Sequence, residues 1–356
     1  MKEVRTAEEV NDAAVPVESM VDNFTAFQKT LFVPLISRAR ESERVDGLIF
    51  DRMAIDVIHR LPLSLSKMKI DSLSYTSSVG RTMILDRKVT TLVNQVLSLD
   101  EKVMVVNMGC GLCSRFERLW GNFHTSNILW VNVDMEPVIQ LKNTIMPYSG
   151  NSTFYKNMVG SVIEKQTYDT LSDMQHEFGA QRVIFIAEGL FFYFSHEDLA
   201  RIFSLVEHAF THVDILFETA NMLPYYVTPA TIKVFGSFKS YMTDARSDLY
   251  RLNSRVQFIS EYYPAEEVQS VAGLTWRFPI FMPTWMPILG GITSADRIVH
   301  CVFDENRTTI QSPSTLRTTY LKFIHLTHLF FVLFSFMYLW WVLLIIVMMI
   351  LIRTKM

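Results

Sequence analysis

The sequence is poor in cysteine, in charge and in any excess of one sign, and each shortage removes a class of protein. Three cysteines in 356 residues exclude a disulfide framework and fit a reducing compartment. The 33 basic and 36 acidic side chains give a formal charge of -3, so no field exists to grip a phosphate backbone and no nucleic-acid partner is expected. Only 19% of residues are charged while 49% are hydrophobic, which excludes disorder along most of the chain because apolar burial can offset chain entropy. The first residues, Met1-Lys2-Glu3-Val4-Arg5 followed by Glu8, Glu9 and Asp12, lack the apolar core of a signal peptide.

One long apolar run stands against this background. From Leu329 to Ile352 about 24 consecutive residues carry no charge, and as a helix they would span roughly 36 Å, enough to cross a bilayer with some tilt. Apolar groups such as Phe331, Trp340, Leu343 and Ile346 would occupy every face, leaving no water-facing side. Basic residues flank both ends, Arg317 and Lys322 before and Arg353 and Lys355 after, so charge does not orient the segment. Its place late in the chain predicts a single-pass tail anchor over 320–353, with the catalytic domain facing the cytosol. Three N-x-[ST] sequons, at Asn23, Asn151 and Asn306, are acceptors only if that orientation is reversed.

Before the anchor, residues 1–100 read as a helical cover. Val79, Met83, Leu85, Val89, Leu92, Val93, Val96 and Leu97 recur at threes and fours and predict an amphipathic helix ending near Ser98. From there, apolar β-branched runs alternate with helical stretches: Lys102 to Met108, Asn127 to Val133, Arg182 to Ala187, Val213 to Phe217 and Ile298 to Phe303. Such runs are expected of buried parallel strands, and the alternation predicts a doubly wound α/β sheet over 101–304. Its ligand crevice should lie at the carboxyl ends of the strands. Ser195 and Asp198 read as the capping pair of the helix after the fourth-strand motif. The Tyr-rich stretch 220–270, interrupted by Pro224, Pro229 and Pro264, breaks the alternation and is expected to be an insertion over the crevice; 305–319 is a polar linker.

The first strand runs into Gly109-Cys110-Gly111-Leu112-Cys113-Ser114, a G-x-G turn that lets backbone approach a ligand. The third glycine of a dinucleotide fingerprint is absent, since Ser114 occupies its place. Asp134, at the end of the next strand and about 20 residues on, stands where a ribose diol would be held. Turn and acid together point to a nucleoside cofactor. Cys110-x-x-Cys113 has zinc spacing but no second pair, and a structural zinc needs four ligands, so no metal is assigned.

Four ordered segments resemble the leucine carboxyl methyltransferase family, which includes bacterial O-methyltransferases of polyketide pathways. They are Gly80-Arg81-Thr82-Met83-Ile84-Leu85-Asp86, Asn107 to Leu119, Trp130-Val131-Asn132-Val133-Asp134, and Ala187-Glu188-Gly189-Leu190-Phe191-Phe192-Tyr193-Phe194. The resemblance, covering about residues 35–305, implies a class I, Rossmann-like fold and S-adenosylmethionine (SAM) as cofactor. It also implies site roles: Arg81 on the methionine carboxylate, Gly109 and Gly111 under the methionine part, Asp134 on the ribose, and Glu188 as a further contact. The family commonly has Asp-Thr at Cys113-Ser114, and an acid for the adenine where this sequence offers only Asn157 or Ser161. Those departures leave open a second reading, a catalytically impaired methyltransferase fold serving as a membrane-tethered binding module. The leading expectation is a membrane-anchored O-methyltransferase acting on a carboxylate, either of a small lipophilic acid or of a protein C-terminus. Such an acceptor is already ionised at neutral pH and needs no general base. No catalytic residue is therefore assigned, although Tyr193 and His196 are possible crevice residues.

Overall fold

The computed structural model describes residues 17–22, 24, 29–123, 126–148, 153–220, 239–264, 267–268 and 296–304. Among the described residues, five helices precede the first strand: α1 (Val17–Asp22), α2 (Phe32–Ser42), α3 (Arg52–Ile58), α4 (Leu63–Ser66) and α5 (Ser72–Leu97). Asp71 caps α5 by accepting from the Ser74 amide at 2.9 Å, and Ser98 closes it as the apolar periodicity predicts.

The strands are β1 (Val103–Met108), β2 (Ile128–Asp134), β3 (Tyr155–Val159), β4 (Arg182–Ala187), β5 (His212–Ala220), β6 (Gln257–Tyr262) and β7 (Asp296–Asp304). Between them run α6 (Arg115–Leu119), α7 (Glu136–Ile145), α8 (Lys165–Phe178), α9 (His196–Ala209) and α10 (Ala245–Leu252). They form one seven-stranded sheet in the order β3-β2-β1-β4-β5-β7-β6. The pairs from β3 through β5 are parallel. This is a mixed α/β sheet whose strand order reverses beside β1, where ligands of open sheets bind.

Two expectations are corrected. The run at Ile298 to Phe303 is not a parallel strand: β7 pairs antiparallel with both β5 and β6. An apolar run buried on both faces does not encode direction, so sequence pattern left this unresolved. The stretch 220–270 is also not simply an insertion, because its described part supplies α10 and the edge strand β6. Strand β6 is only partly buried and carries Ser260 and Glu261 among its apolar residues, which hid it. Strand β3, short and partly exposed, stands outside the apolar runs for the same reason. The expected capping box of Ser195 and Asp198 on α9 is present.

Alternate residues of the central strands feed two cores. Met104, Val106, Leu129, Val131, Val183 and Phe185 face α8, α9 and α10. Val103, Val105, Ile128, Trp130 and Ile184 face α5 and α6 through Leu85, Val89, Val93 and Phe116. A third cluster joins α1, α2 and α3 to α7 through Phe32, Leu35, Val57, Leu141 and Ile145. Among the described residues no helix is long and apolar enough to cross a membrane. The expected anchor at 320–353 and the linker at 305–319 lie outside the described residues.

Helix length sets the site. Helix α5 has 26 residues and is roughly 39 Å long, whereas the six residues of β1 cover about 20 Å. Its carboxyl end turns directly into the start of β1, so its amino-terminal third overhangs the carboxyl edge of the sheet. Arg81 lies 16 residues before Leu97, about 24 Å along the axis, and so reaches that edge. Gly80 sits beside it, where a Cβ would lie 2.2 Å from the carbonyl oxygen of Pro264. Gly80→Ala should therefore destabilise the protein by about 1–3 kcal/mol through overpacking, although alanine in an exposed helix gains about 1 kcal/mol. A urea midpoint equal to or above wild type would show that the segment at Pro264 does not pack on α5.

Candidate active site

The carboxyl edge gathers five of the residues expected from sequence. Gly109 and Gly111 follow β1 with φ of +57° and +48°, a region that L side chains rarely adopt. A Cβ on either would also strike a side chain, Leu190 at 2.7 Å and Leu31 at 2.9 Å. The turn delivers the Gly111 amide to Asp134 Oδ2 at 2.8 Å, while the Met135 amide donates to Oδ1 at 2.7 Å. Burial raises the Asp134 carboxyl, and these two amides oppose the shift. A carboxylate offers about four lone-pair sites, so two remain for the vicinal hydroxyls of a ribose. This fits a nucleoside.

Arg81 and Glu188 meet at the ends of α5 and β4, with Arg81 Nε donating to Glu188 Oε1 at 3.0 Å. Arg81 Nη1 also donates to both oxygens of Glu218, at 2.9 and 3.0 Å. Glu218, near the end of β5, is 1% exposed and further accepts from the Gly189 amide at 2.6 Å. Sequence reasoning missed it. The available signal was an acid closing an otherwise apolar strand run, Val213-Asp214-Ile215-Leu216-Phe217-Glu218, on the crevice side.

The contacts continue away from the crevice. Arg115 Nη2 donates to Glu188 Oε2 and its Nε to Asp86 Oδ1, each at 2.7 Å. Arg118 bonds the Asp86 carboxylate at 2.8 and 2.9 Å and reaches Asp51 Oδ2 at 2.9 Å. Asp51 caps α3 through the Ala54 amide and also accepts from Arg38 Nε at 2.9 Å and Ser114 Oγ at 2.5 Å. Four arginines and four acids thus alternate in one chain, from Arg38 in α2 to Glu218 in β5. Ser114, which replaces the fingerprint glycine, belongs to this chain rather than to the ligand turn.

The remaining expected residues, other than Tyr193, lie apart from that cluster. Asn157 extends an asparagine ladder across the sheet: Asn107 donates to Asn132 at 3.2 Å, Asn132 to Asn157 at 2.9 Å, and Asn157 to Asn143 at 2.6 Å. The main-chain carbonyl of Ser161, just past β3, accepts from the Thr167 hydroxyl at 2.7 Å and fixes the start of α8. Tyr193 is half-buried in the turn after β4, and burial together with Glu218 pushes its phenol up to about 12. His196 is exposed on the first turn of α9, its ring edge-on to Tyr241 at 6.4 Å. Cys110 is buried, which pushes its thiol up, while the Cys113 carbonyl accepts from the buried ammonium of Lys142.

Residues 33–207 match the family model described as leucine carboxyl methyltransferase. An S-adenosyl-L-methionine-dependent methyltransferase of Gibberella zeae, dpfgK, is 23% identical over 243 residues, which cover 62% of this chain and 77% of that protein. Among solved structures, a DUF574 family protein of Streptomyces avermitilis aligns with a TM-score of 0.48 at 10% identity, over 79% of this chain and 98% of its own. Magnesium protoporphyrin IX methyltransferase of Synechocystis PCC 6803, with bound SAH, aligns with a TM-score of 0.37 at 13% identity, over 66% and 89%. The molecule is a SAM-dependent methyltransferase. Within that class, residues 33–207 are similar to the leucine carboxyl methyltransferase family.

The alternating charges govern acid stability. Burial alone would raise Asp51, but Arg118 and Arg38 outweigh it and hold the carboxyl at about 2. Burial would likewise raise Glu188, which Arg115 and Arg81 hold at about 2. Both folded values lie below the ordinary 3.8 and 4.5. Their stabilisation is therefore full above about pH 4.5 and is lost as pH falls through 2, at roughly 2–3 kcal/mol for each group. Unfolding midpoints should drop steeply from pH 4.5 to pH 2.5. Asp51→Asn should destabilise the protein already at pH 7, by about 3–5 kcal/mol, because Arg38 and Arg118 lose a buried partner. It should also flatten the acid slope; an unchanged slope would remove Asp51 from the account.

Proposed function

We propose that the protein is a membrane-tethered O-methyltransferase whose acceptor is a carboxylate, of a small lipophilic acid or of a protein C-terminus. The observation that carries the acceptor class is the state of the basic groups at the crevice. Arg81 and Arg115 are guanidiniums paired with acids and cannot take a proton, and His196, the imidazole nearest in sequence to the crevice motif, projects from an exposed helix turn. A phenol or alcohol acceptor would call for a base within hydrogen-bond reach, whereas a carboxylate arrives ionised.

In this reading Asp134 holds the ribose diol of SAM, the Gly109–Gly111 turn lies beneath its methionine part, and Arg81 binds its carboxylate. Asn157 or Ser161 is assigned to the adenine side, Asn157 through a carboxamide fixed by the ladder and Ser161 through its place just beyond β3. When bound, SAM supplies an electrophilic methyl group on a sulfonium. The chain's own work is alignment and exclusion of water, since an in-line displacement at carbon needs chiefly a near-attack geometry. Leu31 and Leu190 close over the glycine turn and would keep water from that side. Glu188, held ionised by two arginines, would favour the cofactor's ammonium.

Incubation of the full chain with methyl-labelled SAM and a lipid-containing cell extract should give a labelled product that loses its label in mild base, as an ester does. Label retained in base would reject the carboxylate acceptor. The membrane tether is inferred from the uncharged run Leu329–Ile352. The full chain should stay in a carbonate-washed membrane pellet with its amino-terminal domain open to protease on the cytosolic side. Removal of 320–356 should release it. A truncated chain that stayed in the pellet would overturn the tether, and sugar on Asn23, Asn151 or Asn306 would reverse the orientation.

A further inference from the structure

The chain of alternating charges ends at Glu218, and this end differs from every other acid in it. Asp51 and Asp86 each touch two guanidiniums, and so does Glu188. Glu218 has only Arg81 as a cationic partner among the described residues. Five groups face it: Arg81 from α5, Glu188 and the Gly189 amide from the turn after β4, Tyr193 from the next turn, and Asp296 from the start of β7. Three acids therefore press on one guanidinium. Arg81 is also the group assigned to the cofactor's carboxylate, and the role inferred for Glu218 rests on that assignment.

We propose that Glu218 is the carboxyl that cedes Arg81 to the carboxylate of the cofactor, and that it carries a proton while it does so. A carboxylate that takes Arg81 by a two-nitrogen fork through Nη2 needs Nη1 or Nε beside it, and these already serve Glu218 and Glu188, so one of the two acids has to let go. Glu188 keeps Arg115 at 2.7 Å if it lets go of Arg81, so it can remain ionised. Glu218 would be left buried with one backbone amide and two neighbouring acids, an environment in which the charged form is the costly one. A proton from solvent adds to one Glu218 oxygen, the other continues to accept from Gly189, and no other bond changes. Burial, reinforced by Asp296 and Glu188, already pushes Glu218 up to about 8 with Arg81 in place, and loss of Arg81 pushes it higher.

Linkage gives the sign of the pH dependence. Below about pH 7 the free protein already holds the proton, and binding takes up none. Above the free-state value, each cofactor bound takes up one proton, so affinity falls by up to about tenfold per pH unit.

Calorimetry on the full chain with S-adenosylhomocysteine, in two buffers of different ionisation enthalpy, reads the proton directly. The ligand's own amine titrates in this range, so the quantity compared is wild type minus Glu218→Gln. The expected difference is near zero at pH 6.5 and approaches one proton per ligand at pH 9. Wild type should also weaken up to about tenfold more than the variant between pH 8 and pH 9. Should the glutamine variant not fold, wild type alone suffices with two amine-free ligands. The carboxylate-bearing 5′-S-(3-carboxypropyl)-5′-thioadenosine should take up a proton at pH 9, and 5′-methylthioadenosine should not. Equal uptake by wild type and variant, or by the two amine-free ligands, overturns the role of Glu218 and leaves the cofactor site standing. Failure of wild type to bind S-adenosylhomocysteine at either pH overturns the site itself, and the inference with it.

Discussion

The alternation of four arginines with four acids is the constraint on which the rest of the structure depends. Each of these charges would be prohibitive alone in a protein interior, and an ion pair there often only breaks even. A chain in which most members touch two opposite charges avoids that dilemma, because no link is left with a single poor contact. The members come from α2, the cap of α3, α5, α6 and the ends of β4 and β5. Moving any one of these elements by an ångström would uncover a buried charge. The helices before β1 are thereby fixed to the sheet edge by charge, where apolar contact alone would tolerate sliding.

That fixation explains why the site lies where it does. The apolar clusters set the distance between layers, yet they are tolerant of small shifts along the strands. Registration of α5 against β4 and β5 comes from Arg81 and Asp86, and registration of the loop after β1 comes from Arg115, Arg118 and Ser114. The glycine turn is then held from both sides: Asp134 takes its amide, and Arg38 Nη2 donates to the Leu112 carbonyl at 2.8 Å. A turn with positive φ at two positions has little stiffness of its own, so its geometry is borrowed from these partners.

Legibility in the sequence tracks which interactions are local. The end of α5 at Ser98, the boundaries of β4 and the capping box at Ser195 depend on residues within a few positions of one another, and periodicity or cap chemistry displays them. Gly109, Gly111 and Asp134 were legible because a strand, a turn and a second strand place them by simple counting. The direction of β7 was hidden because an apolar run reads the same in both senses. Strand β6 was hidden because an edge strand with polar residues resembles a loop. Glu218 and the arginine chain were hidden for a deeper reason: the pairs join residues 107 and 137 positions apart, and nothing near either partner announces the other.

The near balance of charge at this edge also bears on the chemistry. In methyl transfer from a sulfonium to a carboxylate, the acceptor class proposed above, opposite charges vanish as the bond forms, so the transition state is less charged than the reactants. Catalysis rests on binding that state better than the ground state. A crevice with a large surplus of fixed acids would grip the cationic cofactor hardest before reaction and raise the barrier to transfer. Here Glu188 is answered by two arginines and Glu218 by Arg81 alone, and the Glu218 charge is the one that burial makes easiest to give up. The site can thus supply polar contacts for the amino-acid end of the cofactor while keeping little net field at the reacting methyl. Electrostatic restraint of this kind needs the whole chain from Arg38 to Glu218, which is why residues remote from the crevice belong to its function.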